Sequence, residues 1–264
     1  MDSYNDNFFS NACYTRRAFY GRKIFAPYVL HSIEERYKLN DPLYKQYGDY
    51  LCNLAQGDLG PSFKYPGRSV NDIIKDGFPV SFKLGIEAIL IAIIIGIPAG
   101  ILAGVKKDKW QDRAVNFFTT LGVAVPSFVV AALLIYVLST KLHLLPAAMW
   151  NGWRYEIMPA LALSGMPMSF IARLTRSSML DILSQDYIKT ARAKGLSWSK
   201  VLIKHALPNS LIPVVTYLGP MTASILTGSF VIETIFAIPG LGQYFVTSIY
   251  NRDYTVILGV TIFL

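Results

Sequence analysis

Few residues in this chain have the type and spacing that chemistry needs. Two acids, Glu87 and Glu233, stand within or beside long apolar runs. An ionisable group in such a run is a functional suspect by default. Both fall near the outer ends of their runs, where water reaches, so a structural or gating role is expected rather than ion coupling. Gly228 and Ser229 are candidates to line a pathway, with close helix packing as the simpler use of small residues. An enzyme working inside a membrane would need paired acids, or a nucleophile and a base, at one depth. The sequence offers no such set. Cys13 and Cys52 are too few and too far apart for a metal site or a disulfide framework, and His31, His143 and His205 are scattered. The phosphate loop G-x-x-x-x-G-K-[ST], the zinc signature HExxH and the elbow G-x-S-x-G are all absent. The chain is expected to be no enzyme, with no cofactor or metal of its own.

The elements around these residues are those of a membrane protein. Of 264 residues, 53% are hydrophobic and 16% charged, against about 25% charged in a soluble domain. The net charge of +8 could attract nucleic acid. The positive residues gather beside apolar runs, however, which favours membrane lipid and argues against nucleic acid.

Residues 1 to about 30 hold Arg16, Arg17, Arg22 and Lys23 among aromatics, without the apolar run of a signal peptide. Residues 31–81 read as aqueous and partly helical. Ser32-Ile33-Glu34-Glu35 opens one helix, Asn40-Asp41-Pro42 breaks it, and a second runs from Leu43 to Gln56. Gly57, Gly60, Pro61, Pro66 and Gly67 make a loop.

Leu84 to Val105 is long enough to span about 30 Å of hydrocarbon. Gly96, Gly100 and Gly104 let another helix come close. A second span is expected from about Ala114 to Leu138, kinked at Pro126. A loop over 139–156 carries Trp150 and Trp153, which suit a membrane interface. A third span follows from Ile157 to Leu174, and a fourth from Leu211 to Phe236. Pro239-Gly240-Leu241-Gly242 reads as a turn-rich loop. The run from Val256 to Leu264 begins a fifth span of which about 13 Å is present.

Orientation follows from the basic residues in the short loops. Lys106, Lys107, Lys109 and Arg113 fill one loop. Arg173, Arg176, Lys189, Arg192, Lys194, Lys200 and Lys204 crowd the region 175–210 and its approach. Both segments are expected to be cytoplasmic, which places residues 139–156 and 31–81 outside. Such a polar N-terminal segment would have to cross the membrane with no span ahead of it.

The region 175–210 is a polar hairpin between spans. Leu183, Tyr187 and Ala191 recur at one-turn intervals and predict one helical face. Gly195 permits a left-handed turn. Ser197 is placed to cap a second helix bearing Trp198, Leu202 and His205 on one side. A solvated basic loop resting on anionic lipid is the simpler alternative.

The hairpin resembles the short cytoplasmic helix by which the membrane subunit of an ABC importer docks onto its ATPase. That family's motif reads E-A-A-x-x-x-G-x9-I-x-L-P. Gly195, Leu207 and Pro208 keep its register, the first triplet is Lys189-Thr190-Ala191, and His205 replaces the isoleucine. The string Thr190-Ala191-Arg192-Ala193-Lys194-Gly195-Leu196 is similar to the oligopeptide and dipeptide permease branch. Further similarity lies at Leu39-Asn40-Asp41-Pro42, Gly57-Asp58-Leu59-Gly60-Pro61-Ser62-Phe63, Pro126-Ser127-Phe128, Ile232-Glu233-Thr234-Ile235 and Pro239-Gly240-Leu241-Gly242.

The resemblance implies an all-α, polytopic protein of the bacterial cytoplasmic (inner) membrane, with an ABC type I importer-like transmembrane domain over residues 82–264. It implies a peptide permease working with a second, different permease subunit, two cytoplasmic ABC ATPases and an extracytoplasmic peptide-binding protein. ATPase coupling would fall to Tyr187, Thr190, Ala191, Arg192, Ala193, Lys194, Gly195, Leu196, Leu207 and Pro208. Asn251-Arg252-Asp253-Tyr254 would either touch the binding protein or anchor the chain at the interface. The family's first helix and the end of its last have no counterpart here, so a partial permease is one alternative. Transport of nickel or another small solute, which this branch also handles, is the other.

Overall fold

The computed structural model describes residues 41–264 apart from Pro66, Thr227 and Gly228, with no side chain described for Leu43. The expectations for residues 1–40, and the pathway role offered to Gly228, lie outside the described residues. Among those described, regular structure is helical, and the one β contact is an isolated bridge between Pro61 and Ser69.

Helix α1 spans Leu43–Ala55 and α2 spans Val70–Val105. Next come α3 (Trp110–Ala124), α4 (Ser127–Leu134) and a π-helical stretch, Ile135–Lys141. Helix α5 covers Trp153–Leu183 and α6 covers Asp186–Ala193. The short α7 (Trp198–Val201) leads through π-helical Leu202–Ala206 into α8 (Leu207–Ser210). The remaining helices are α9 (Ile212–Leu226), α10 (Phe230–Ile235), α11 (Leu241–Asn251) and α12 (Tyr254–Phe263).

Among the described residues, three stretches are long and apolar enough to cross a membrane: α2, α5 and Ile212–Ile235. A fourth exists if α3 and the helix from Ser127 to Lys141 count as one broken span. Those two meet at 103°, far beyond the expected kink. Pro126 sits at the break with an extended backbone, because its ring and missing N–H cannot continue the α3 ladder.

The spans also differ in length from the sequence expectation. Helix α2 begins at Val70 rather than Leu84, and its 36 residues reach roughly 54 Å. Polarity misplaced its start: Lys75, Asp76 and Lys83 are helical although hydrophilic. Helix α5 outruns the expected span at both ends, since Trp153–Glu156 and Thr175–Leu183 continue one ladder. The hairpin accordingly starts after Leu183, not at 175. Leu241, expected in a loop, opens α11.

The described chain divides into two compact units. One takes in the described residues up to Asp76 together with Tyr244–Leu264. Within it, the Asp253 carboxylate is fully buried and caps α12. It accepts hydrogen bonds from Ser62 Oγ (2.5 Å), from the N–H groups of Phe63 (3.2 Å) and Lys64 (3.1 Å), and from Thr255 Oγ1 (2.9 Å). Buried carboxylates persist only when so satisfied. Asn71 receives the Leu59 N–H and donates to the Gly57 carbonyl, closing the glycine-rich loop.

The other unit, Gly77–Gln243, holds three apolar clusters among its described residues. Leu84, Ala131, Met158, Ile232, Phe236 and Ile238 pack together near one end of α5, and Ile89, Ala92, Ile171, Val214, Met221 and Ile225 farther along it. A third core lies beneath the hairpin.

Candidate functional site

The hairpin is held to its own chain by that third core. Ile188 and Ala191 of α6, with Val201 and Ala206, are buried around Met179 of α5. Leu196 and Leu202 pack at the edge, as do Ile101 and Val105 of α2. Of the face expected from Leu183, Tyr187 and Ala191, the first and last border this core but Tyr187 does not. Ser184 and Gln185 interrupt the helix, and α6 restarts in a new phase with Ile188 and Ala191 inward. Tyr187 is instead 41% exposed, and its hydroxyl accepts a hydrogen bond from Asn209 Nδ2 at 3.0 Å.

Gly195 ends α6 in the left-handed conformation, at φ +78°. Its N–H bonds the Arg192 carbonyl (2.9 Å), and the Leu196 N–H bonds the Ala191 carbonyl (3.3 Å). This pair of bonds is a Schellman closure, with Leu196 as its apolar seal. No atom lies within 4 Å of a Cβ built on Gly195, so conformation rather than crowding within the chain demands glycine. Ser197 does precede α7, but its side chain makes no capping bond. Of the expected face of α7, Trp198 is exposed while Val201 takes the buried place.

Thr190, Arg192, Ala193 and Lys194 remain exposed around Gly195. Arg192 lies over the Trp198 ring, 5.2 Å from its centroid, a contact that braces the turn from outside. Lys189 bonds Asp186 at 2.9 Å, and that hydrogen bond holds the Asp186 carboxylate below its usual range. Leu207 is half-buried and Pro208 exposed in the first turn of α8. The surface on offer is thus short, basic and firmly seated.

The candidate acids have very different settings. Glu233, expected near water, has no exposed surface at all. Ser81 Oγ donates to its Oε1 at 2.8 Å, and the Gln243 N–H to its Oε2 at 3.2 Å. Ser81 Oγ also accepts the Leu241 N–H at 2.9 Å. Gly240 and Gly242 close the cage. A Cβ on Gly242 would stand 2.9 Å from Oε2 and 2.6 Å from the Phe230 Cα. Two segments that the sequence offered separately, Ile232–Ile235 and Pro239–Gly242, therefore form one structure around a carboxylate. Ser81, not singled out by sequence, completes it; one serine before an apolar run gave no signal. Ser229 caps α10, accepting from the Ile232 N–H.

Glu87 is partly exposed on α2. It stands 3.9 Å from Lys83, which binds Glu156 of α5 more closely at 2.6 Å and lies 5.5 Å from the Trp150 ring centroid. Sequence reasoning also missed a bidentate ion pair. Arg176 Nε and Nη2 donate to the two Asp112 oxygens at 2.5 and 2.8 Å, joining α5 to α3. In the sequence Arg176 counts only among the basic residues that set orientation, and Asp112 gives no signal of its own. Among the described residues no group of His, Cys, Asp or Glu is arranged to hold a metal ion.

Comparison with known proteins follows the same lines. Residues 96–264 match the family model described as binding-protein-dependent transport system inner membrane component. The dipeptide transport system permease protein DppB of Bacillus subtilis is 52% identical over 235 residues, covering 89% of this chain and 76% of that one. The oligopeptide transport system permease protein OppB of Salmonella typhimurium is 46% identical over 246 residues, covering 92% and 80%. Among solved structures, the MetNI methionine ABC transporter in an inward-facing conformation shares the fold at a TM-score of 0.61 with 18% identity. That match covers 72% of this chain and 87% of the solved one. An amino acid ABC transporter with histidines gives 0.58 at 15% identity, covering 73% and 86%.

Proposed function

This chain belongs to the family of binding-protein-dependent transport system inner membrane components, and on that footing we propose that it is the permease subunit of an ATP-binding cassette importer for peptides. It is a multi-pass protein of the bacterial inner membrane and not itself an enzyme. The relatives named for dipeptide and oligopeptide transport carry the choice of substrate. ATP hydrolysis falls to separate subunits, two ATPases docking from the cytoplasm. A second permease completes the pathway, and an extracytoplasmic binding protein delivers the peptide.

The observation that carries the coupling role is the seated hairpin. A docking element must present a short surface and pass displacement inward without folding up. Helix α6 does this, with Ile188 and Ala191 locked into a core and Tyr187, Thr190, Arg192, Ala193 and Lys194 outward. Ala191 serves the seat rather than the docking face, and its small side chain lets α6 lie close. Leu196 seals the turn, while Leu207 and Pro208 restart the return helix. Glu233 with Ser81 acts as a latch for the segment after the fourth span, and Ser229 sets the start of α10. Glu87, beside Lys83, is the remaining gating candidate. Inserted as in the family, residues 1–81 form a mostly external N-terminal segment, and 82–264 form the transport domain.

Site-specific crosslinking tests the docking role. With Cys13 and Cys52 replaced, Ala193→Cys should crosslink to the ATPase subunit, and Asn151→Cys should not. Crosslinking at Asn151 with none at Ala193 would place docking elsewhere.

A further inference from the structure

We propose that Asp112 and Arg176 form a positioning strut that makes the hairpin, α5, α3 and the end of α2 move as one body during coupling. The inference rests on the importer reading and adds to it the route by which displacement leaves the hairpin.

Three sets of contacts converge on α5 between Met168 and Met179. The first is the ion pair. Asp112 lies in the first turn of α3, just past the basic loop, and is buried. Besides the Arg176 fork it accepts the Asp108 N–H (3.0 Å) and Asn116 Nδ2 (2.7 Å). The carboxylate therefore ties the loop, α3 and α5 together at one point. A bidentate guanidinium fixes angle as well as distance, which a point charge does not.

The second set is backbone packing of α2 on α5. A Cβ on Gly96 would stand 2.8 Å from the Met168 carbonyl oxygen, one on Gly100 2.5 Å from that of Ala172, and one on Gly104 2.6 Å from Met179 Cβ. Glycines at every fourth position thus let the helices touch along three turns, ending beside Arg176. The third set is the hairpin core, centred on Met179, one turn past Arg176.

A force on the exposed face of α6 enters α5 at Met179. There α5 already bears on α2 through Gly104 and is tied to α3 through Arg176. Because packed interiors shift between discrete arrangements rather than deform smoothly, the load displaces the three helices together. Without the fork, α5 can turn against α3, and hairpin motion is spent locally. Hydrolysis then continues while transport fails.

The test uses the full complex of permeases, ATPases and binding protein in lipid vesicles. Complex yield, ATP hydrolysis and uptake of labelled peptide are measured for wild type, R176K and R176Q. R176K keeps the charge and loses the fork, so it should assemble normally. Its ATP consumed per peptide imported should rise about fivefold or more, the lower range of coupling between two sites. R176Q should exceed it. A wild-type ratio in R176K overturns the strut, whether or not assembly falls, because a purely structural role lowers uptake and hydrolysis together. Absence of ATP-driven uptake in wild type would overturn the importer reading itself, and the strut with it.

Discussion

Buried carboxylates organise this protein at the level of single side chains, and Glu233 shows how. It is enclosed by Ser81 and by the Gln243 N–H, with no exposed surface. Glu233→Ala would leave a buried hydroxyl and an N–H without their acceptor, at about 1–3 kcal/mol each. Glu233→Gln keeps the shape but offers one acceptor oxygen to the two donors, Ser81 Oγ and the Gln243 N–H. Thermal unfolding in detergent should therefore show a lowered midpoint for both variants, with the smaller drop for glutamine. An alanine variant as stable as wild type would show that the cage contributes nothing. The acid itself was legible in sequence, because a charge in an apolar run stands out. Its burial was not, since Gly240 and Gly242 approach it from a turn that sequence alone places anywhere near the span. Asp112 and Arg176 were hidden for the opposite reason, as two charges among many on the basic side.

Helices and turns carry the next level of constraint. Small residues inside the span, Gly96, Gly100 and Gly104, announced a close helix approach, and α2 meets α5 at each of them. Gly100→Leu should cost well above the 1–3 kcal/mol of ordinary overpacking, because a carbonyl oxygen 2.5 Å from the new Cβ cannot step aside. Gly48→Ala in α1 meets nothing within 4 Å and should be neutral or stabilising by about 0.5–1 kcal/mol. Recovery of monodisperse protein after heating in detergent compares the two, and equal survival would contradict the close contact. Gly195 was readable in the same way, and its positive φ bears the reading out. Gly195→Asp should weaken ATPase co-purification, while Gly195→Asn, better suited to left-handed backbone, should weaken it less. Equal, undiminished recovery with both would remove the turn from the docking site. The helical face read over Leu183–Ala191 misled at Tyr187 because periodicity cannot see a two-residue break such as Ser184-Gln185.

For the molecule as a whole, the run of apolar segments was enough to announce a membrane protein, and the resemblance to ABC importer permeases supplied the all-α class. Segment ends were less legible, because helices such as α2 and α5 continue into polar sequence beyond the hydrocarbon. The 103° break at Pro126 could be anticipated as a bend but not in size. From the basic loops we infer that 106–113 and the hairpin lie inside. Both Asn151 and Ser197 are exposed, so single cysteines there, in a chain lacking Cys13 and Cys52, report on sidedness. An impermeant reagent added outside should label position 151 and spare 197; the reverse would invert the topology. The central claim is peptide import driven by ATP. Its most direct measurement is uptake by vesicles holding the purified complex, with ATP inside and loaded binding protein outside. Labelled di- or oligopeptide should accumulate only with ATP, and nickel should not. Nickel accumulation without peptide uptake, or peptide entry independent of ATP, would contradict the account.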